Sequence, residues 1–230
     1  MDRLIKLEIK RNKLNTYYLA SGIICAIMTG FIYFIAIVAK VENDIEFLRY
    51  ENIFKLHSVL NFIIFCIFSV VMYSKFVIED YSKGKALLLF SYPVARWKIF
   101  FAKLILVITF TLSSLLVCSL VPIALFSINE SISPILSGEI TLALILSQLL
   151  NIGIYAVAIT SIGLISLGIG FIKKSIATTI VSAIFLASII GNMVIGLGAS
   201  MLAFLAVSIL FVIGIATTIM LTNKINAMNI

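Results

Sequence analysis

Six long apolar runs dominate this sequence and restrict the folds that are open to it. The runs cover residues 17–39, 58–77, 99–126, 140–172, 176–195 and 200–222. A helix needs about 20 apolar residues to cross the roughly 30 Å hydrocarbon core. Lipid offers backbone amides no partners, so a crossing segment must be helical or belong to a closed barrel, and the alternating pattern of a barrel is absent. We predict an all-α membrane protein, a single transmembrane domain over 1–230 with six transmembrane helices.

The composition supports insertion into a membrane and excludes an ordinary soluble domain. Hydrophobic residues make up 62% of the chain, and the mean hydropathy is +1.21, which exceeds what a water-soluble core can bury. Cys25, Cys66 and Cys118 each lie inside an apolar run without CxxC spacing, so we interpret them as buried apolar side chains. The first run is too long for a cleavable signal peptide and lacks an A-x-A site, so we expect it to remain as a span.

The distribution of positive charge predicts the orientation of the chain. With the N-terminus in the cytoplasm, the outer side holds only Lys40, Arg49 and Lys55, and the rest of the 17 Lys and Arg residues face inward. Cytoplasmic loops of membrane proteins carry an excess of Lys and Arg. We therefore expect both the N- and C-termini to be cytoplasmic.

The first residues, 1–15, have the pattern of an amphipathic helix. Leucines fall near one side and basic residues cluster on another: Leu4, Leu7 and Leu14 against Arg3, Lys6, Lys10 and Lys13. A basic amphipathic helix lies in the headgroup plane and is attracted to anionic lipid. We predict an interfacial helix here, with a disordered basic tail as the alternative.

The fourth run, 140–172, is too long for one straight crossing, since as a helix it would extend about 50 Å. It must tilt, project from the membrane or break, and Gln148, Asn151 and Gly153 mark a plausible break. Gln148 and Asn151 are three residues apart and so share a helix face. They are our candidates for a surface that contacts substrate, although packing between helices is the other interpretation.

The loop at 78–98 is basic and amphipathic. Glu79 and Asp80 follow the second run directly, and a short apolar stretch at 86–90 is too short to span a membrane. Pro93 ends that stretch and suits the first turn of the next helix. Trp97 is placed to anchor the third span at the interface, and Lys103 to reach the headgroups by snorkelling. We predict a short cytoplasmic helix that rests on lipid or fits a groove on a soluble partner.

The same segment carries a recognisable order of residues. Along the chain it offers Glu79, Gly84, Leu87, Leu88, Pro93, Val94, Arg96 and Lys103. This order resembles the cytoplasmic loop of ABC-2 type permeases, the membrane subunits of a class of ATP-driven exporters. That loop has an acidic residue, Gly-Thr, several leucines, Pro-Val-Ser-Arg, and a lysine before the third span. The chain departs from it at Lys85, where threonine is usual, and at Ala95, where serine is usual.

The resemblance implies a coupling helix between spans 2 and 3 that docks on a separate ATP-binding subunit, with the N-terminal helix at the same junction. The partner-binding residues carried over are Glu79, Gly84, Leu87, Leu88, Pro93 and Arg96. It also implies a homo- or heterodimer of permease subunits in a bacterial plasma membrane, surrounded by lipid and without nucleic acid. The expected cargo is hydrophobic or amphipathic, such as a peptide toxin, a bacteriocin or a lipophilic antibiotic. ATP and Mg²⁺ would bind the partner subunit.

The sequence contains no motif for chemistry of its own. The Walker-type GxxxxGK[ST], HExxH and GxSxG patterns are all absent, so we expect no catalytic residue, metal site or bound cofactor in this chain. No acidic residue lies deep in a span, which argues against a proton-driven pump. His57 is expected at the membrane interface. A membrane scaffold or sensor that anchors a cytoplasmic partner is the alternative to a permease.

Overall fold

The computed structural model describes residues 2–11, 14–44, 46–81, 95–133, 135–136, 141–197 and 200–227. Throughout these residues the regular secondary structure is helical, and six of the helices are long and apolar enough to cross a membrane. The predicted all-α class with six candidate spans is therefore confirmed. The cytoplasmic location of the termini stays a prediction.

The helices extend beyond the apolar runs at most of their ends. Their bounds are α1 Asp2–Arg11, α2 Asn15–Glu42, α3 Tyr50–Tyr73, α4 Arg96–Ile132, α5 Leu142–Lys173, α6 Ile176–Leu197 and α7 Met201–Asn226. A π-helical turn, Ser74–Ile78, continues α3 without interruption. The helices are longer than the runs because polar residues outside the hydrocarbon region can continue the same backbone hydrogen bonds. Hydropathy alone therefore underestimates helix length.

Local sequence explains several of the helix ends. α2 ends at Asn43 with φ 53°, and α5 ends at Lys174 with φ 50°; both residues adopt the left-handed conformation that commonly terminates helices. α7 begins after Ser200, whose hydroxyl accepts a hydrogen bond from the Ala203 amide. Ser200 is thus an ordinary N-cap, and it starts a helix immediately after the short connection from α6.

α5 is the central helix of the bundle, packed against α3, α6 and α7, while α2 packs mainly against α4. The break proposed near Gln148, Asn151 and Gly153 is wrong, because α5 is one continuous helix through these positions. Buried residues occur from Gln148 to Phe171, so contacts with three neighbouring helices support the helix through the proposed break.

Small residues on α5 allow its neighbours to approach closely. A Cβ atom placed on Gly163 would lie 2.7 Å from Ser69 Oγ on α3. One on Gly170 would lie 2.8 Å from Ile78 Cδ1 and would overlap Thr179 of α6. Such close contacts through small residues are typical of helix packing in membranes.

This packing predicts opposite effects of two alanine substitutions in α5. Gly170→Ala should lower the free energy of unfolding by about 2 kcal/mol, because the β-branched Thr179 is fully buried and stiff. The Cβ atom added by Gly153→Ala meets no atom within 4 Å, so this variant should raise the free energy of unfolding by up to about 1 kcal/mol through helix propensity. Thermal unfolding of both variants in detergent checks this, and equal effects would contradict the packing.

At the end of the bundle remote from α1, a buried carboxylate adds hydrogen bonds to a hydrophobic cluster. Glu130 is buried, and its Oε1 accepts hydrogen bonds from the Tyr50 hydroxyl at 2.9 Å, the Ile135 amide at 2.7 Å and the Leu136 amide at 2.6 Å. These contacts join the end of α4 and the following residues to the start of α3. Sequence analysis found no such role for Glu130.

Candidate functional site

α1 lies against the start of α4 and places an acidic residue inward. Glu8 is only 8% exposed, whereas Leu7 is 63% exposed and Ile9 is 42% exposed. Leu14, just after α1, is buried in the hydrophobic core. The leucines that were predicted to share one side therefore occupy different environments, because α1 is oriented by polar contacts with the bundle.

Those contacts converge on Asp80, which follows the π-helical turn. Lys103 on α4 and Arg11 on α1 both form ion pairs with Asp80 Oδ2. Arg11 is also 3.1 Å from Glu8 Oε2. We call these four residues, Glu8, Arg11, Asp80 and Lys103, the inner junction. It connects α1, the end of α3 and the start of α4.

Lys103 is the buried centre of the inner junction. Its side chain is fully buried, and Nζ donates a hydrogen bond to the Phe76 carbonyl at 2.7 Å besides pairing with Asp80. The predicted snorkelling of Lys103 to the headgroups is wrong, because an acceptor and a counter-ion lie within reach inside the protein. A buried lysine is stable only with such partners.

The π-helical turn and Tyr81 complete the surroundings of Lys103. In this turn the Glu79 amide donates to the Ser74 carbonyl, five residues earlier, at 3.0 Å. Single π turns inside α-helices frequently occur at functional sites. The Tyr81 ring centroid is 5.8 Å from Lys103 Nζ, and burial raises the pKa of the Tyr81 phenol. Tyr81 therefore stays neutral at physiological pH and offers the lysine a polarizable face.

The structure positions two of the six predicted coupling residues. Glu79 is partly exposed and forms an ion pair with Lys75 at 2.7 Å, and Arg96 is the first residue of α4. Gly84, Leu87, Leu88 and Pro93 lie outside the described residues. Glu79 and Arg96 flank this segment, on the same side of the bundle as α1.

Polar side chains also meet inside the bundle. Ser58 Oγ donates to Gln148 Oε1 at 3.1 Å, and Asn61 Nδ2 donates to the Cys118 carbonyl at 3.0 Å. His57 is 1% exposed, with Nε2 3.1 Å from Asn61 Nδ2. His57 is therefore buried inside the bundle, and its expected position at the membrane interface stays a prediction.

Gln148 and Asn151 differ in their surroundings despite their helical spacing. Gln148 is 4% exposed and is used in the hydrogen bond to Ser58, whereas Asn151 is half-buried. Neither lines the two large grooves described below. Their role in a substrate pathway stays a prediction.

Within the described residues, two large grooves open between the candidate membrane-spanning helices. One, of about 710 Å³, lies between α2 and α4. The other, of about 600 Å³, lies between α4, α5 and α7, and we call it the α4–α5–α7 groove. Its lining residues are Phe101, Leu104, Ile105, Ile108, Leu112, Ala156, Val157, Thr160, Leu164, Phe211, Ile215, Thr218 and Ile219. Sequence analysis predicted neither groove.

Comparison with known proteins finds a similar protein to which no activity is assigned. No protein-family model and no solved structure matches this chain. The chain is 25% identical over 206 residues to the uncharacterized protein YcbO of Bacillus subtilis (strain 168), a match that covers 90% of each chain. Because the match spans nearly the full length of both proteins, it is not confined to a single apolar run.

Proposed function

We propose that this chain is the permease subunit of an ATP-driven ABC exporter, located in a bacterial plasma membrane. It would act as a homo- or heterodimer with separate ATP-binding subunits and export a hydrophobic or amphipathic cargo, such as a peptide toxin, bacteriocin or lipophilic antibiotic. The proposal rests on the resemblance of the segment from Glu79 to Lys103 to the ABC-2 coupling loop. It is supported by the geometry around that segment.

The structural observation that best supports the proposal is the inner junction. The ATP-binding subunit would bind the segment 82–94 and push on both ends of this segment. One end follows Asp80 and the other precedes Arg96. Asp80 is paired with Lys103 on α4 and Arg11 on α1, so movement of the segment would be transmitted to three helices at once. The Lys103–Asp80 pair is costly to separate because Lys103 is fully buried, so this pair is the firm part of the connection, whereas Arg11 is partly exposed.

Transport then follows from helix movement. Closure of the ATP-binding subunits would displace the inner junction and tilt α3 and α4 relative to their neighbours. The groove between α2 and α4 is mostly apolar with a few hydroxyl groups in its lining, which suits an amphipathic cargo better than a sugar or an inorganic ion.

The decisive experiment is affinity purification of the tagged chain from its own cells in mild detergent. We expect a nucleotide-binding protein in the complex, with ATP turnover that depends on this chain. A complex without ATPase activity that contains another cytoplasmic protein would favour the scaffold or sensor alternative. If no ATPase binds under any solubilisation condition, the permease assignment fails.

The coupling role of Glu79 can be tested with a matched pair of variants. Glu79→Gln should weaken binding of the ATPase roughly thirtyfold, since a hydrogen bond to a charged group contributes about 2 kcal/mol. Lys75→Gln breaks the same surface ion pair but leaves the carboxylate, and such pairs contribute only about 0.5 kcal/mol. ATPase stimulation in proteoliposomes is the measurement, and equal losses would show that Glu79 acts only through Lys75.

A further inference from the structure

We infer that the α4–α5–α7 groove binds one acyl chain of an anionic phospholipid, whose phosphate is held by Lys98. This inference is independent of the proposed export function. It concerns the lipid that surrounds the protein and not its cargo. Three observations support it: the chemistry of the groove, its length, and the charge at its end.

The groove offers hydrocarbon contacts and no available hydrogen-bond donor. Its lining is aliphatic and aromatic apart from Thr160 and Thr218. Both hydroxyls are already used within their own helices, Thr160 Oγ1 donating to the Val157 carbonyl at 2.8 Å and Thr218 Oγ1 to the Gly214 carbonyl at 2.9 Å. An acyl chain can therefore enter without leaving a buried donor unsatisfied, which would otherwise be costly.

The length of the groove corresponds to one leaflet. On α4 the lining extends from Phe101 to Leu112, which is about 16 Å along a helix. Half of the hydrocarbon core is about 15 Å thick. The groove volume of about 600 Å³ also falls in the range of ordinary ligand sites. A single acyl chain that hangs from one interface would fill it.

Lys98 provides a positive charge at the interfacial end of the groove. It precedes Phe101 by three residues and Ile105 by seven, so all three lie on one face of α4. Lys98 Nζ is 5.5 Å from the Trp97 ring centroid, and the Trp97 ring is in edge contact with Phe101 at 6.2 Å. Trp97 and Lys98 are exposed, as expected for groups at the level of lipid headgroups. The positive charge of Lys98 thus complements the phosphate of an anionic lipid, whose headgroup has no amine to neutralise that phosphate.

Trp97 is the single tryptophan of the chain and reports directly on this site. The protein is placed in nanodiscs of neutral phosphatidylcholine that contain a small fraction of phospholipid brominated near the headgroup end of its acyl chains. Brominated phosphatidylglycerol is compared with brominated phosphatidylcholine at equal fraction. One lysine near a surface contributes about a fivefold preference for anionic lipid. We therefore expect half-maximal Trp97 quenching at a fraction of brominated phosphatidylglycerol about one fifth of the fraction of brominated phosphatidylcholine that is needed.

Two variants locate the preference, each with its own control. Lys98→Gln should abolish the preference for anionic lipid, and Lys98→Arg should keep it. The control, Lys224→Gln, removes a charge at the same end of the bundle but on the face of α7 opposite the groove, and it should leave the preference unchanged. Ala156→Phe fills the groove and should reduce quenching to equal values for both lipids, whereas Leu150→Phe on the same helix should not.

Equal quenching in the unaltered protein, as expected if cargo or a second copy occupies the groove, overturns the proposal. A preference that persists in Lys98→Gln or Ala156→Phe also overturns it.

Discussion

Asp80→Ala is expected to lower the free energy of unfolding by about 3 kcal/mol. The substitution removes the carboxylate that pairs with the fully buried ammonium of Lys103, and leaves it the Phe76 carbonyl and the nearby Glu8 carboxylate. Removing one partner of a buried ion pair costs about 3–5 kcal/mol, and the low end applies because the Asp80 side chain is partly exposed. The measurement is thermal unfolding in detergent, monitored by the labelling of Cys66 and Cys118, which are buried in the folded protein.

The control for this prediction removes the lysine instead. Lys103→Met replaces the buried charge with an apolar chain of similar length and leaves Asp80 paired with Arg11. We expect a loss below about 1 kcal/mol, since apolar replacement of a buried ion is often neutral. The double variant should be more stable than Asp80→Ala alone. If both single variants were equally destabilised, Lys103 would not be the buried charge that needs Asp80.

Glu130→Ala, at the other end of the bundle, is also expected to lower the free energy of unfolding by about 3 kcal/mol. One oxygen of Glu130 accepts hydrogen bonds from the Tyr50 hydroxyl and from the amides of Ile135 and Leu136. Alanine leaves all three donors without this acceptor, and a buried donor without a partner costs about 1–3 kcal/mol. Unfolding of this variant is followed in the same assay.

Glu130→Gln separates the hydrogen bonds from the charge. The amide oxygen can accept the same three bonds, while the amide nitrogen would occupy the position of Oε2, which has no hydrogen-bond partner among the described residues. We expect a loss of about 1 kcal/mol, much smaller than for alanine. Tyr50→Phe removes one donor and should cost about 1 kcal/mol. Equal losses for glutamine and alanine would assign the effect to charge and not to hydrogen bonding.

The six membrane-spanning helices were predictable because hydropathy is a local property. Each apolar run overlaps one helix in the structure, and charged segments separate all the runs except the last two, which are joined by the uncharged residues 196–199. The ends were less predictable. α3 begins at Tyr50 and α4 continues to Ile132, both through polar residues, because a helix that has started continues wherever its backbone bonds are satisfied.

The inner junction left a signal in the sequence that was interpreted incorrectly. Lys103 lies inside the third apolar run, and an ionisable residue at such a position generally has a partner. Asp80 is 23 residues earlier in the chain and Arg11 is 69 residues before Asp80. No local pattern pairs them, so the sequence alone favours snorkelling for Lys103 and gives Glu8 no role.

The polar residues of α5 show the same limit. Gln148 was identified because amides are rare in apolar runs, yet its acceptor contact with Ser58 joins residues 90 positions apart. Helical spacing put Gln148 and Asn151 on one face, but burial differs between them because neighbouring helices cover only part of that face. The two grooves likewise form between two helices in one case and three in the other, and they have no counterpart in local sequence.

The amino-acid order by itself determined that this chain is a helical membrane protein with six candidate spans, because apolar content and charge act along each segment separately. Only the tertiary structure decided that Lys103 is buried against Asp80, that Glu130 secures the opposite end, that α5 is unbroken and that grooves open beside α4. Those features depend on side chains that are brought together across long stretches of sequence, where pairing is selected by the cost of a buried polar group left without a partner.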